Sequence, residues 1–271
     1  MRLTERDSHF DFGKNWQDYA TTVDQARIDA AVAGVQKLLP EGLAGKTFID
    51  IGCGSGLHSL AALHLGAASV MAIDIDEDSV STTRQLLTRL APNSQWDARA
   101  ASVFDASTKE LGTFDIVYSW GVLHHTGDMW RAIEAAARFV KPGGLFVIAI
   151  YAKTPFDPFW RIEKRIYSRA PAPIQWIARL GYVAAFAVAN AVSGQNPIVH
   201  FRDYSKTRGM NVMNDVHDWL GGYPHETASA GEIREQIAAL GFNEKLAFVL
   251  PETRGTFGMG CNEFVFQRPE V

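Results

Sequence analysis

The chain has 271 residues, a net charge of −4 and two cysteines, Cys53 and Cys261. Its 47% hydrophobic and 21% charged residues are typical of a folded soluble chain and exclude disorder as the main state. The charge does not favour a nucleic-acid partner, and no cysteine or histidine spacing predicts a metal site. The first twenty residues contain no apolar signal segment, so we expect a cytoplasmic protein.

Short apolar runs alternate with amphipathic segments in the first half of the chain. The pattern predicts helices over 22–39, 56–65, 78–90 and 128–140. It predicts strands over 47–51, 69–73, 98–104, 114–119 and 145–151. This alternation is typical of a parallel sheet with helices on both faces.

The alternation stops after residue 151, and we interpret residues 152–229 as an insertion. A helix over 231–240 and strands over 245–250 and 257–266 are predicted to complete the core. The predicted domains are an N-terminal lid with the first helix (1–45), a core (46–151), a cap insertion (152–229) and the last helix and strands of the core (230–271).

The most hydrophobic stretch is residues 174–192, which Gln175, Arg179, Gly181 and Asn190 interrupt. A membrane-spanning helix needs about 20 residues without such interruptions. We therefore expect a buried or interfacial helix rather than a span. A dimer interface is an equal interpretation of the same segment.

A glycine-rich loop, Gly52-Cys53-Gly54-Ser55-Gly56, follows the first predicted strand and precedes a helix. In a parallel sheet such a turn lies at the ligand-binding edge. Asp74 ends the next strand, where a carboxylate can accept both hydroxyls of a ribose. Asp50 precedes the loop, where it would repel a pyrophosphate but suits a ligand with an amino group and a sulfonium. The alternative interpretation is a structural turn in which Asp50 makes a capping hydrogen bond.

These residues, with the fourth predicted strand and the turn at 140–144, resemble class I S-adenosylmethionine (SAM)-dependent methyltransferases of the small-molecule type over residues 46–151. The resemblance implies a Rossmann-like seven-stranded α/β sheet with an antiparallel last strand and a mainly helical cap. It also implies SAM as cofactor, S-adenosylhomocysteine as product, and the following cofactor contacts: Asp50, Gly52, Cys53, Gly54, Gly56, Asp74, Ile75, Ser102, Val103, Ser119 and Trp120.

The N-terminal segment with Trp16 and Tyr19 resembles the aromatic lid of many small-molecule members of this family. Both rings are therefore expected to clamp the sulfonium through cation–π attraction. The alternative is that they anchor the first helix by hydrophobic contact.

His124 and His125 follow the fourth predicted strand, at the same edge as the glycine loop. A hydroxyl acceptor must lose a proton during methyl transfer, and a histidine that titrates near neutrality is suited to take it. The alternative is that the histidines pack or cap, since an amine, thiol or carboxylate acceptor needs no base. We expect no metal at this loop.

The segment 152–210 contains nine basic and three acidic residues, a net charge of +6, while the rest of the chain is −10. This asymmetry indicates an anionic partner, either an acidic substrate or an acidic membrane surface. Arg161, Lys164, Arg165 and Arg169 are expected to share one helix, whose simplest interpretation is a solvated face.

Charged, aromatic and glycine residues crowd together over 202–226 without helical or strand periodicity. Segments of this kind often form binding lids. Arg208 is expected to bind an acidic group, and Asp215, Asp218 or Tyr223 to contact the acceptor. Salt bridges within the cap are the alternative interpretation.

The sequence as a whole predicts a SAM-dependent methyltransferase that acts at oxygen on a small metabolite, for which the charge pattern suggests an acidic group. Transfer to nitrogen or sulfur by the same fold is the nearest alternative. The others are an NAD-dependent oxidoreductase and a SAM-binding protein that docks to an acidic membrane or partner.

Overall fold

The computed structural model describes residues 23–192, 194, 196, 199, 201–202, 212–250 and 260–270. Up to residue 151 the helices are α1 (Gln25–Leu38), α2 (Leu57–His64), α3 (Glu77–Leu90), α4 (Thr108–Leu111) and α5 (Met129–Ala137). The strands are β1 (Thr47–Ile51), β2 (Ser69–Asp74), β3 (Trp96–Ala100), β4 (Phe114–Trp120) and β5 (Val140–Tyr151). The later elements are α6 (Asp157–Tyr167), α7 (Ala172–Val192), α8 (Val212–Gly221), α9 (Ala230–Ala239), β6 (Asn243–Phe248) and β7 (Cys261–Gln267).

The strands form one seven-stranded sheet in the order β3-β2-β1-β4-β5-β7-β6. Strands β1 to β5 are parallel, and β7 is antiparallel to both β5 and β6. The predicted Rossmann-like sheet with an antiparallel last strand is confirmed. The strand order reverses between β1 and β4, which makes the carboxyl ends of these strands the expected ligand crevice.

Both faces of the sheet are covered, and β1 shows why its sequence is apolar throughout. Phe48 packs into a cluster with residues of α1 and α2, whereas Ile49 and Ile51 pack into a cluster on the opposite face with α5 and α9. Each such side chain contributes about 1.5–3 kcal/mol when fully buried. Asp50 is the polar exception within this strand.

Among the parallel strands, β3 and β5 depart most from their predicted bounds. β3 begins at Trp96 and ends at Ala100, because Ser102 starts a turn in which its carbonyl accepts from the amides of Asp105 and Ala106. β5 begins at Val140, although residues 141–144 were predicted to be a helix stop. A register shift between β4 and β5 accommodates the proline and glycines of that segment.

The insertion leaves and rejoins the core at one place, the carboxyl end of β5. Ala152 pairs with Ala228, and the Ala228 amide donates to the Tyr151 carbonyl. The chain then enters α9 through a capping box between Ser229 and Glu232, an arrangement that satisfies two of the free amides at a helix start. The cap therefore lies beside the ligand-binding edge of the sheet.

Helices α6 and α8 pack together around Tyr167, Val216 and Leu220. No residue of α7 is buried against the rest of the described chain, so of the two expectations for residues 174–192, a buried or an interfacial helix, the buried one is not met. Among the described residues, this helix alone is long and apolar enough to cross a membrane by length and composition.

Candidate functional site

The glycine loop is tied to the end of β2 by backbone hydrogen bonds. The amides of Gly52 and Cys53 both donate to the Ile73 carbonyl, at 2.7 and 3.1 Å. Gly52 has a φ of 80°, and a Cβ there would lie 2.4 Å from the methyl groups of Val122. Because Val122 follows β4, this close approach brings the histidine-bearing turn directly against the glycine loop.

Two carboxylates line this crevice without a cationic partner. Asp50 accepts a hydrogen bond from the Ser59 hydroxyl at 2.7 Å, and Asp74 accepts from the Gly54 amide at 3.0 Å. No basic side chain of the described residues forms an ion pair with either. Burial raises the pKa of Asp50 to about 7 and that of Asp74 to about 6.

The two buried carboxylates fit SAM as a ligand. A buried carboxylate with a raised pKa is stabilised by a ligand cation, and the amino group and sulfonium supply such charge. Asp74 uses part of its acceptor capacity on the amides of Gly54 and Asp76, and a carboxylate retains further lone pairs for ribose hydroxyls.

The other proposed cofactor residues occupy different environments around the crevice. The Cys53 side chain packs with Ala72, Val80 and Ala98, so only its backbone faces the loop. Burial raises the pKa of its thiol, which is therefore neutral and unreactive.

Ser119 and Trp120, at the end of β4, turn their polar atoms to other protein groups. The Ser119 hydroxyl donates to the Ile51 carbonyl at 2.9 Å, and the Trp120 indole donates to Glu263 at 2.9 Å. Beyond β3, the Ser102 hydroxyl accepts from the Phe104 amide, and Val103 is buried.

Ile75 is half-buried directly after Asp74, at the end of β2. Gly56 directly precedes α2. A Cβ at Gly56 would lie 2.9 Å from the Thr83 hydroxyl. Trp16 and Tyr19 lie outside the described residues.

His124 and His125 form a 3₁₀ turn with Leu123. The His124 ring is fully buried and lies 4.0 Å from the Tyr151 ring, centroid to centroid. Burial, followed by the charges of His125, His225 and Lys164, lowers its pKa well below the usual value. His124 is therefore neutral near pH 7.

His125 is half-buried and has a defined orientation. Its Nδ1 lies 2.7 Å from the Pro224 carbonyl, which can only accept, so this nitrogen carries the proton. In the neutral ring Nε2 is then the basic nitrogen. The ring is held edge-on against Tyr151 at 5.2 Å and lies close to Gly222.

The substrate residues predicted in the cap are only partly brought to this site. Tyr223 is buried, with the Arg169 guanidinium 5.7 Å from its ring centre. Asp215 and Asp218 lie half-buried on α8. Arg208 lies outside the described residues.

The predicted solvated face of basic residues is wrong for Lys164. α6 contains Arg161, Lys164 and Arg165, and Arg169 lies after its end. The three arginines are exposed, whereas the Lys164 side chain is fully buried against α8. The spacing of Trp160, Lys164 and Tyr167 is the signal of one buried helix face.

Two further residues near the histidines were not predicted. His225 is buried 5.6 Å from the Tyr151 ring. The Glu226 carboxylate accepts from the Met129 amide, and its own amide donates to the His124 carbonyl. Burial raises the pKa of Glu226 to about 7. The described residues contain no group of side chains suited to hold a metal ion.

Comparison with known proteins bears on the core rather than the cap. Residues 49–148 match the family model described as "Methyltransferase domain". A ubiquinone biosynthesis O-methyltransferase of Xanthomonas oryzae is 39% identical over 113 residues, which cover 42% of this chain and 46% of that protein. The match thus spans less than half of this relative.

Over residues 49–148 the core of this chain is therefore similar to methyltransferase domains. Its fold is similar to that of magnesium protoporphyrin IX methyltransferase from Synechocystis, solved with S-adenosylhomocysteine (TM-score 0.52, 17% identity, 89% of this chain and 81% of that one). A SAM-dependent methyltransferase from Mesorhizobium loti has a TM-score of 0.53 at 17% identity, over 89% of this chain and 100% of that one. Because residues 49–148 match a methyltransferase domain, these similarities do not support the alternative of an NAD-dependent oxidoreductase.

Proposed function

We propose that the protein transfers the methyl group of SAM to an oxygen atom of a small acidic molecule, in the cytoplasm. The observation that carries the proposal is the pair of buried carboxylates at the glycine loop, where Asp74 accepts from the Gly54 amide and Asp50 from the Ser59 hydroxyl, with the histidine-bearing turn packed on Gly52 through Val122. The matched relative, named as an O-methyltransferase, supports oxygen as the acceptor atom.

In this proposal the residues of the crevice divide the work between binding and proton transfer. Bound SAM supplies an electrophilic methyl carbon on a positively charged sulfur. Asp50 and the Gly52–Gly56 loop hold the methionine end, and Asp74 holds the ribose, with Ile75, Ser102 and Val103 at the adenine. His125 orients the acceptor hydroxyl through Nε2 and takes its proton as the new O–CH₃ bond forms and the S–CH₃ bond breaks.

The test begins with the cofactor and then searches for the acceptor. Calorimetry should detect binding of S-adenosylhomocysteine. The protein is then incubated with SAM that carries a deuterated methyl group and with separate aqueous and lipid extracts of cells. Mass spectrometry should find a labelled methyl ether or ester of an acidic compound. Label on nitrogen or sulfur would contradict the choice of oxygen, and absence of cofactor binding would contradict the function itself.

A second proposal concerns the surface at which the enzyme works, namely an anionic membrane. α7 has no buried residue among those described, and Phe159, Ile162 and Ile166 are each exposed by 60% or more on α6. Exposed Arg161 and Arg165 lie beside this apolar row. Exposed apolar side chains flanked by basic side chains are typical of helices that lie at a membrane interface. A second copy of the chain is the alternative occupant.

A further inference from the structure

A second group of polar side chains lies beside the proposed transfer site. The proton transfer proposed above does not use these side chains. We call it the Lys164 cluster and define it as Trp160, Glu163, Lys164, Trp219 and His225. Lys164 is fully buried, its Nζ donates to the Trp219 carbonyl, and this nitrogen lies 3.7 Å from the centre of the Trp219 ring. A buried lysine is costly unless its ammonium group is paired.

Several buried polar atoms of the cluster have no hydrogen-bond partner among the described residues. These atoms are the indole nitrogens of Trp160 and Trp219, both ring nitrogens of His225, and one carboxyl oxygen of Glu163. Trp160 and His225 are each more than nine-tenths buried. Buried polar groups in folded proteins are normally satisfied, so a set of this size indicates a binding site.

The unpartnered atoms are mainly donors. An indole N–H can only donate, the Lys164 ammonium has hydrogens beyond the one given to Trp219, and a neutral imidazole adds one donor. Burial raises the pKa of Glu163, which favours its protonated form and adds another donor, despite the opposing effect of Lys164. The cluster therefore suits a ligand that presents several acceptor oxygens.

The charge of the cluster and the aromatic rings around it indicate which class of ligand it suits. Lys164 is the one side chain of the cluster that can carry a positive charge near neutrality. Burial lowers its pKa to about 7, so an anion bound beside it favours the ammonium form. That one charge balances a single negative charge, as on a carboxylate, better than the roughly two charges of a phosphate. The Trp219 ring lies 5.5 Å from both the Trp160 and the Tyr151 rings. Such aromatic walls favour a flat, aromatic ligand.

We propose that the Lys164 cluster binds the carboxylate of a flat aromatic acceptor, with Lys164, Trp160 and Trp219 as its donors. Tyr151 contacts Trp219 on one side and His125 on the other, so the cluster is one ring away from the proposed base. This proposal rests on the proposed function and assigns its acidic group to Lys164 instead of Arg208.

The experiment compares two fluorinated probes by ¹⁹F NMR, with and without saturating S-adenosylhomocysteine. The probes are 4-fluorobenzoate and its uncharged counterpart 4-fluorobenzamide. We expect the wild-type protein to bind the benzoate about tenfold more tightly, because hydrogen bonds to a charged group are stronger than those to a neutral amide. Lys164→Met should reduce this preference to about twofold or less, as the remaining donors are uncharged.

Two further variants separate the loss of this site from general effects of substitution. Arg89→Met removes one exposed positive charge from α3 and should retain the full preference. Trp160→Phe removes one donor while it keeps an aromatic ring, and it should weaken benzoate binding about threefold to tenfold without changing benzamide binding. Thermal unfolding verifies that each variant is folded.

Equal binding of the two probes to the wild-type protein, or absence of binding by both, would overturn the assignment. Retention of the preference by folded Lys164→Met would overturn it as well. Loss of S-adenosylhomocysteine binding in calorimetry would instead contradict the proposed function, because the probe preference is also measured without that ligand.

Discussion

His124 and His125 are adjacent in the chain, yet their surroundings differ. His124 is enclosed by Tyr151 and held neutral by burial. His125 is half-buried and carries its proton on Nδ1, toward the Pro224 carbonyl. The difference arises because successive residues of a tight turn point in different directions, so the two rings have different neighbours.

The first prediction is that His125→Gln lowers kcat for the labelled acceptor by about 10²–10⁴, the usual contribution of a general base. Affinity for S-adenosylhomocysteine should not change. His64→Gln, at an exposed histidine at the end of α2, serves as the control and should retain full kcat. A normal kcat in His125→Gln would assign proton removal to another group or to none.

The second prediction concerns pH and Asp50. Its pKa of about 7 in the free protein means that the carboxyl is largely protonated below that pH. A cationic ligand favours the ionised form, so SAM affinity should rise as pH increases from 5.5 to 8, by up to about tenfold per unit below pH 7. Calorimetric titrations at several pH values measure this directly.

Asp50→Asn provides the matched control for this pH dependence. The variant keeps the shape but cannot titrate, so the slope near pH 7 should disappear. Affinity at pH 8 should fall about tenfold to a hundredfold. A slope below pH 6 should remain, because Asp74 has a pKa of about 6. An unchanged slope in Asp50→Asn would remove Asp50 from the cofactor site.

At the scale of elements, the glycine loop and the turn after β4 are fitted to each other. Gly52 combines a left-handed φ of 80° with a contact to Val122 that leaves no space for a Cβ. This close contact therefore couples the conformation of the glycine loop to the position of the turn that contains both histidines.

The third prediction separates these two effects in urea unfolding. Gly42→Ala, at a φ of 82° with open space around it, should cost about 1–2 kcal/mol from backbone strain alone. Gly52→Ala should cost about 1–3 kcal/mol more from overpacking against Val122. Addition of Val122→Ala should recover much of that excess. Equal costs for the two glycines would show that the contact is unimportant.

At the scale of the whole molecule, helix α6 of the cap has one face packed against α8 and one face turned outward. The inner face contains Lys164 and Tyr167, and the outer face contains Phe159, Ile162 and Ile166. Apolar patches on this scale often mark an interaction surface. The positive charge of the insertion is consistent with an anionic partner there.

The fourth prediction is co-sedimentation of the protein with phosphatidylcholine vesicles that contain phosphatidylglycerol, and much less with phosphatidylcholine alone. Arg161→Gln combined with Arg165→Gln should weaken binding about thirtyfold, at about 1 kcal/mol per basic residue. Lys46→Gln with Arg89→Gln removes the same charge elsewhere and should bind normally. If the protein does not co-sediment with either kind of vesicle and forms a dimer in sedimentation velocity, the apolar face would be assigned to contact with a second copy.

The core was largely predictable because its signals are local. The run at 47–51 followed by Gly52, Gly54 and Gly56 requires a strand, a tight turn and a helix, and the parallel arrangement follows from the alternation of elements. β1 has the same bounds in the structure as in the prediction. The predicted bounds of β3 and β5 were wrong because a backbone turn at Ser102 and a register shift between β4 and β5 leave no periodic pattern in the sequence.

The sequence by itself thus determined the sheet, the cofactor loop and the acidic residues at the ends of β1 and β2. Only the tertiary structure decided that Lys164 is buried, that His124 is buried while His125 is half-buried, and that α7 packs on the described chain through partly buried residues such as Tyr182 and Val183. These outcomes depend on contacts between segments far apart in the chain, such as Lys164 with Trp219 and Tyr151 with His225. Local spacing determines which residues share a helix face, whereas packing decides which face is turned inward.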